Sequence, residues 1–299
     1  MNTRDLQYLV ALQDHCHFGK AANACFVSQP ALSMQIKKLE ETLGVKLLER
    51  TNKSVLLTDI GITITERARH ILNQVEEMRN VAKLAKDPYS GELKIGIIPT
   101  LAPYLLPCIM PSLSKKFPKI SFYLVEEKTS VLIEKLKIGK LDAAFLAHPV
   151  IEASFSTSLL FKEEFLLAVS STHPLAKQKT VKQHDLDNQN VLLLEEGHCM
   201  REQTLALCHK MNASETQNFR ATSLETLRHM VAAGNGITLM PKLAQQLHDN
   251  ISYIPFCSPK PMRSIGLYSR FSTAKKVLLE DIAAEVKQII THKKTSGAL

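Results

Sequence analysis

The sequence predicts two modules of different class. An N-terminal all-α winged helix-turn-helix over residues 1–58 is carried on a linker helix and hinge over 59–88, and an α/β domain fills 89–299. Three observations predict this. Apolar residues before Gly44 recur with helical spacing, and a serine-then-proline start opens the last of those helices. A seven-residue apolar repeat runs from Ile64 to Ala85. Beyond Gly91, short apolar runs alternate with amphipathic stretches, the pattern of βαβ units.

A chain of 299 residues exceeds one small core and suits two or three modules. A hydrophobic fraction of 45% with 22% charged residues is that of a globular protein and excludes a disordered or fibrous class. The formal charge of +8 suits an acidic partner such as nucleic acid. Residues 1–86 hold 12 Lys/Arg against 9 Asp/Glu, so charge by itself does not select DNA. The opening has no apolar h-region and no run of 18 apolar residues follows, so neither secretion nor membrane contact is expected, and the location expected is cytoplasmic. In that compartment the six cysteines are reduced, and any disulfide is transient or sensory.

Taken in order, Leu6, Leu9, Val10 and Leu12 form one helical face within Leu6–His15, and Ala21, Ala22 and Ala24 suggest a short second helix. Ser28, Gln29 and Pro30 read as an N-cap and first turn of a third helix through Leu32, Ile36, Leu39 and Leu43, stopping at Gly44. This makes a helix-turn-helix candidate, although a plain three-helix packing module would show the same pattern. Gln29, Ser33, Gln35 and Lys37 are of types that reach base edges or phosphates. Leu47, Leu48 and Val55–Leu57 flank a basic stretch containing Arg50 and Lys53, which reads as a β-hairpin wing lying on the DNA backbone.

From Thr58 a long helix is predicted, with Ile64, Ala68, Ile71, Val75, Met78, Ala82 and Ala85 at alternating steps of four and three. So narrow a stripe wants a partner helix, most simply that of a second subunit, unless the helix lies on its own domain. Asp87–Gly91 marks a hinge. Strands are then expected at 93–98, 120–125, 143–146, 165–169, 191–194, 237–239 and 265–268, with helices at 105–117, 129–138, 201–210, 224–233, 241–247 and 276–290.

The stretch Phe18, Ala21, Ala22, then Val27 to Ser33, Gln35, Ile36, Leu39, Glu40, Leu43, Gly44, Leu47, Leu48, Arg50, Leu57, Thr58 and Gly61 resembles the LysR-type transcriptional regulators. That resemblance implies a homotetrameric regulator of promoter DNA whose linker helices pair as homodimers. It also implies a periplasmic-binding-protein-like sensor of two subdomains, about 89–163 plus 265–299 and about 164–264. RNA polymerase is a further implied partner. The DNA-contacting positions it implies are Ser28, Gln29, Pro30, Ser33, Gln35, Lys37, Arg50 and Lys53.

A narrower match, Glu195-Glu196-Gly197-His198-Cys199, Arg201, Gln203 and Cys208, looks like the peroxide-sensing, OxyR-like branch of that family. It implies that hydrogen peroxide oxidises Cys199 to a sulfenic acid, that Cys208 condenses with it, and that a thiol reductant system resets the pair. Thr100, Thr129, His198 and Arg263 are the implied pocket. The start of a helix is expected to favour the Cys199 thiolate. Residues nine apart on an unbroken helix lie about 13 Å from each other, beyond the roughly 7 Å that a disulfide spans between α-carbons, so oxidation is expected to unravel the segment. Cys16 and Cys25 share the nine-residue spacing and are expected in the helix-turn-helix core, with Cys108 and Cys257 as small buried hydrophobes.

Two alternatives remain: a LysR-type regulator that responds to a small metabolite between the subdomains, and a thiol peroxidase. The helix-turn-helix argues against an enzyme. A solute-binding protein conflicts with the missing signal peptide. No Gly-rich phosphate loop, HExxH or paired CxxC is present, so no cofactor and no metal is expected.

Overall fold

The computed structural model describes residues 1–50, 55–84, 87–187, 189–208, 214–246 and 250–295; among them no helix is long and apolar enough to cross a membrane. Its contacts divide the chain into two compact units, Met1–Lys86 and Asp87–Leu299.

The first unit opens with α1 (Thr3–His15), α2 (Phe18–Ala24) and α3 (Gln29–Leu43). Each start is capped by its own side chain: Asn2 with Asp5 in a reciprocal box, His17, and Ser28. Leu9, Leu12, Ala21, Ala22, Leu32, Ile36, Leu39 and Leu47 close the core, and α3 ends at Gly44 with φ 69°. The wing pairs β1 (Leu48–Arg50) antiparallel with β2 (Val55–Leu57); its tip, with Lys53, lies outside the described residues, as does the Arg50 side chain.

Glu40 fixes the wing to α3. It is only 4% exposed and its carboxylate accepts from Leu47 N at 2.9 Å and Leu48 N at 3.3 Å. Glu40→Ala orphans two buried donors and is expected to cost about 2 kcal/mol, read as a lower denaturation midpoint, while Glu40→Gln, which keeps an acceptor, loses less.

The long helix α4 (Asp59–Leu84) divides its apolar seam between two faces. Ile64 and Ala68 pack into their own domain, but Ile71 is 45% and Met78 70% exposed. Val75 is half-buried and Ala82 exposed, whereas Ala85 lies outside the described residues. The reading of a helix lying on its own domain therefore holds for Ile64 and Ala68, and the rest of the described seam is at least partly open to solvent. Near its start, a Cβ at Gly61 would stand 2.1 Å from the Leu47 carbonyl oxygen, so only glycine lets α4 approach the wing.

The second unit contains β3 (Gly91–Ile97), α5 (Ala102–Lys116), β4 (Ile120–Glu126), α6 (Thr129–Lys137), β5 (Ala143–His148) and the long β6 (Phe155–Ser170). It continues with β7 (Asn190–Leu194), α7 (Cys199–Cys208), β8 (Ser214–Ala221), α8 (Leu224–Ala232), β9 (Thr238–Pro241), β10 (Ile251–Pro255), β11 (Met262–Arg270) and α9 (Lys276–Thr295). β4, β3 and β5 run parallel; β11 and β6 extend them antiparallel, and the far half of β6 pairs with β10 and β9. β7 and β8 form a separate parallel pair.

Two hydrophobic cores result. One gathers Leu105, Leu132, Phe145, Tyr268 and Ile282, the other Phe165, Leu192, Leu227, Leu239 and Phe256; we call their surroundings lobes I and II. β6 belongs to both. Its register with β11 runs from Phe155↔Arg270 to Glu164↔Met262 and slips once, between Ile265 and Gly266.

Several local expectations fail for physical reasons. The strand foreseen at 165–169 is the end of 16-residue β6, whose first half alternates too weakly to be read. The helix foreseen at 241–247 is absent from its described part: Pro241 pairs with Phe165 in β9, and Lys242–Ala244 forms a single 3-10 turn whose Leu243 N donates to Glu163 Oε1 at 2.8 Å. Polar β8 gave no apolar signal, β10 was also not foreseen, and α7 opens two residues early, at Cys199.

Candidate functional site

Four of the candidates, Cys199, Thr100, Thr129 and Arg263, gather where the lobes meet. Cys199 begins α7 in lobe II, yet its half-buried side chain packs against the core of lobe I. Arg263, the second residue of β11, is 2% exposed; its Nε donates to Glu163 Oε2 at 2.7 Å, and its Nη1 and Nη2 donate to Thr100 Oγ1 at 3.0 Å and Thr100 O at 3.2 Å. Its guanidinium also stands 5.8 Å from the Phe165 ring centroid. Glu163 thus orients Arg263, whose charge acts on the Cys199 thiol.

Burial pushes the Cys199 thiol above its ordinary pKa. The Arg263 charge and the Thr129 hydroxyl pull the other way and offset this only in part. The buried Thr129 hydroxyl, at the first position of α6, has no other partner among the described residues. The thiolate expected from the helix start is therefore outweighed by desolvation. Cys208 closes α7, and its side chain lies outside the described residues.

His198 is turned to a different surface. It lines a cavity of about 230 Å³ between the lobes with Tyr104, Lys128, Glu195 and Ser223, and its Nε2 lies 3.9 Å from Glu195 Oε1. Burial, then the charge of Lys128, lower its pKa against the opposing pull of Glu195, so the ring is neutral at pH 7. Arg201 points back into lobe II, where its Nη1 donates to Leu194 O at 3.1 Å.

On the helix-turn-helix, Gln29 and Pro30 at the start of α3 are exposed, as is Lys37 farther along, and Ser33 is half-buried. Ser28 accepts from Ala31 N at 3.4 Å as the cap, and Gln35 donates from Nε2 to Asp5 Oδ1 at 2.6 Å, which ties it to α1. Lys37 and Glu41 stand 3.9 Å apart in an exposed pair that leaves the lysine available. Cys25 is half-buried against the core, but Cys16 is exposed: it caps α1 at φ 48°, a consequence of its place rather than of its polarity. Cys108 and Cys257 are half-buried.

Residues 3–62 match the model of the bacterial regulatory helix-turn-helix proteins of the lysR family, and residues 86–288 match the LysR substrate binding domain. The chain belongs to the LysR family.

This LysR-family chain is 46% identical over 291 residues to the hydrogen peroxide-inducible genes activator of Dickeya chrysanthemi, covering 96% of this chain and 95% of the relative. It is also 46% identical over 290 residues to the DNA-binding transcriptional dual regulator OxyR of Escherichia coli, with the same coverage. A solved full-length OxyR variant from Pseudomonas aeruginosa superposes with a TM-score of 0.78 at 36% identity, covering 96% of this chain and 95% of that one.

Two residues of this LysR-family site escaped sequence reasoning. Glu163 lies 100 positions from the arginine it orients, and no local pattern links them. Lys128 of lobe I reaches across to lobe II, 2.5 Å from Glu195 Oε1 and donating to Glu196 O at 3.0 Å, with its stem on Gly197; it clasps the turn that leads to Cys199.

Proposed function

We propose that this DNA-binding transcription regulator responds to hydrogen peroxide through Cys199 and Cys208. The observation that carries the reading is a cysteine at the start of a helix, acted on by the charge of a buried arginine, with a second cysteine at that helix's end. The name of the Dickeya chrysanthemi relative, a hydrogen peroxide-inducible genes activator, supports it.

In the first step the Cys199 thiolate attacks one peroxide oxygen. The O–O bond breaks, sulfur is oxidised to the sulfenic acid, and hydroxide leaves and takes a proton to become water. Arg263, with the Thr100 and Thr129 hydroxyls, meets the charge developing on the departing oxygen. In the second step the Cys208 thiol attacks the sulfenic sulfur, forming the S–S bond and releasing water. The helical rise sets the two residues about 13 Å apart, so α7 must come undone for the bond to close. The lobes, with boundaries near 164 and 264, then settle into a second packing, which α4 relays to the DNA-binding domain. An external dithiol restores the pair.

The switch acts once per oxidation, as a regulator and not as an enzyme. The exposed part of the α4 seam, Ile71 and Met78, supports a homodimer on two half-sites, and two dimers make the tetramer. Ser28, Gln29, Pro30, Ser33 and Lys37, with Arg50 and Lys53 of the wing, face DNA; Gln35 positions α3 through Asp5. A regulator that meets promoter DNA and RNA polymerase works in the cytoplasm. The cavity lined by His198 and Tyr104 favours one second reading, a small metabolite bound between the lobes.

The test treats reduced protein with about one equivalent of hydrogen peroxide, maps disulfides by mass spectrometry, and footprints promoter DNA with Cys199→Ser and Cys208→Ser alongside. A Cys199–Cys208 bond that alters the footprint and is lost in both variants supports the reading. Thiols that stay reduced move the signal to the cavity.

The raised Cys199 pKa also sets a pH profile. Thiolate, the reactive form, grows about tenfold per pH unit until the pKa is reached, so the oxidation rate is expected to keep climbing past about pH 8.5. A plateau near neutrality, in stopped-flow measurements across pH, would contradict this.

A further inference from the structure

The turn between α2 and α3 sets an aromatic residue where backbone geometry calls for glycine. α2 closes in a Schellman arrangement: Phe26 N donates to Asn23 O at 3.1 Å, and Val27 N donates to Ala22 O at 3.0 Å. The first residue past the cap must then be left-handed, a conformation that glycine or asparagine adopts with least strain. Phe26 holds it, at φ 55°. Its ring is 96% exposed, whereas its neighbours Cys25 and Val27 turn into the domain core. Among the described residues no packing offsets either the backbone strain or the exposed apolar surface, and strain of this kind collects where function requires it.

The place of Phe26 indicates what the ring meets. It stands two residues before Ser28, the N-cap of α3, and the exposed residues of that helix include Gln29, Pro30 and Met34, the last 68% exposed. In a helix-turn-helix the first residues of this helix contact base edges in the major groove, so a side chain projecting from the preceding turn continues the same surface. The apolar group that the major groove presents is the thymine 5-methyl. We propose that Phe26 reads DNA, packing its ring on a thymine methyl in each half-site. The left-handed backbone is what aims the ring outward.

The inference rests on the helix-turn-helix alone, so it stands or falls apart from the peroxide reading. The test uses the full chain and a duplex selected by that chain from a random pool, synthesised once with thymidine and once with deoxyuridine. Phe26→Asn and Phe26→Gly both suit the left-handed position, so each is expected to fold and to raise the thermal midpoint by a few degrees. With the thymidine duplex the variants are expected to bind about tenfold more weakly than the parent. The deoxyuridine duplex is expected to weaken the parent severalfold and to leave the variants unchanged. Variants that bind the thymidine duplex like the parent, or that lose as much affinity as the parent when the methyls are removed, would overturn the proposal.

Discussion

Arg263→Met is expected to lower stability by about 3–5 kcal/mol, because it leaves Glu163 charged, buried at 3% side-chain exposure and without its guanidinium. The Thr100 hydroxyl and carbonyl oxygen lose their donors in the same change. Denaturant unfolding of the full chain measures this. Adding Glu163→Gln to Arg263→Met removes the stranded charge and is expected to recover part of the loss, so the double variant is more stable than the single one. Peroxide reactivity follows a different course. Burial already holds the Cys199 thiol above its ordinary pKa and Arg263 is the largest influence opposing it, so both variants are expected to form the sulfenic acid at least tenfold more slowly at neutral pH. Recovery of stability without recovery of rate separates the two roles of the arginine. Equal rates in parent and variants would remove Arg263 from the site.

Gly61→Ala is the second large effect. The new Cβ would meet a backbone oxygen, that of Leu47, at 2.1 Å, and backbone cannot rotate aside as a side chain does. Either α4 withdraws from the wing or the Leu47 segment shifts and strains the bonds by which Glu40 holds Leu47 N and Leu48 N. A cost of the order of 3 kcal/mol is expected, confined to the first unit. Amide exchange should quicken in α3 and the wing while the cores of lobes I and II keep their protection. Operator affinity should fall even with every DNA-facing residue intact. Uniform loss of protection through both units would contradict the assignment of the strain to this contact.

The helix-turn-helix was legible because its signals are local. Caps, the proline after Ser28, the stop at Gly44 and the spacing of Leu32, Ile36 and Leu39 all lie within one turn of what they determine. Cys199, Thr100, Thr129 and Arg263 were legible only through resemblance, since nothing nearby in sequence marks them as neighbours. What escaped was long-range or environmental. Glu163 and Lys128 gain their meaning from partners in distant strands and turns. The direction of the Cys199 pKa was misread because a helix start is visible in sequence and burial against another lobe is not. Cys16 shows the same limit at small scale: an apolar residue type placed by a helix end, where φ 48° turns it to solvent.

The pairing of Glu164 with Met262 has a consequence for the ancestry and engineering of such proteins. The chain leaves lobe I along β6 and comes back along β11, and at that register the outgoing and returning strands are hydrogen-bonded neighbours. Lobe II is therefore a cassette held at a single doorway, with the 97 residues 165–261 between ends that lie side by side. A tight turn could replace the whole of it without reordering β4, β3, β5 and β11, and another cassette with adjacent ends could be spliced in its place. The sensing site proposed above is shared across the doorway, because Cys199 travels with the cassette while Thr100, Thr129 and Arg263 do not. A transplanted lobe II would bring the sulfur to a host that must already hold the arginine.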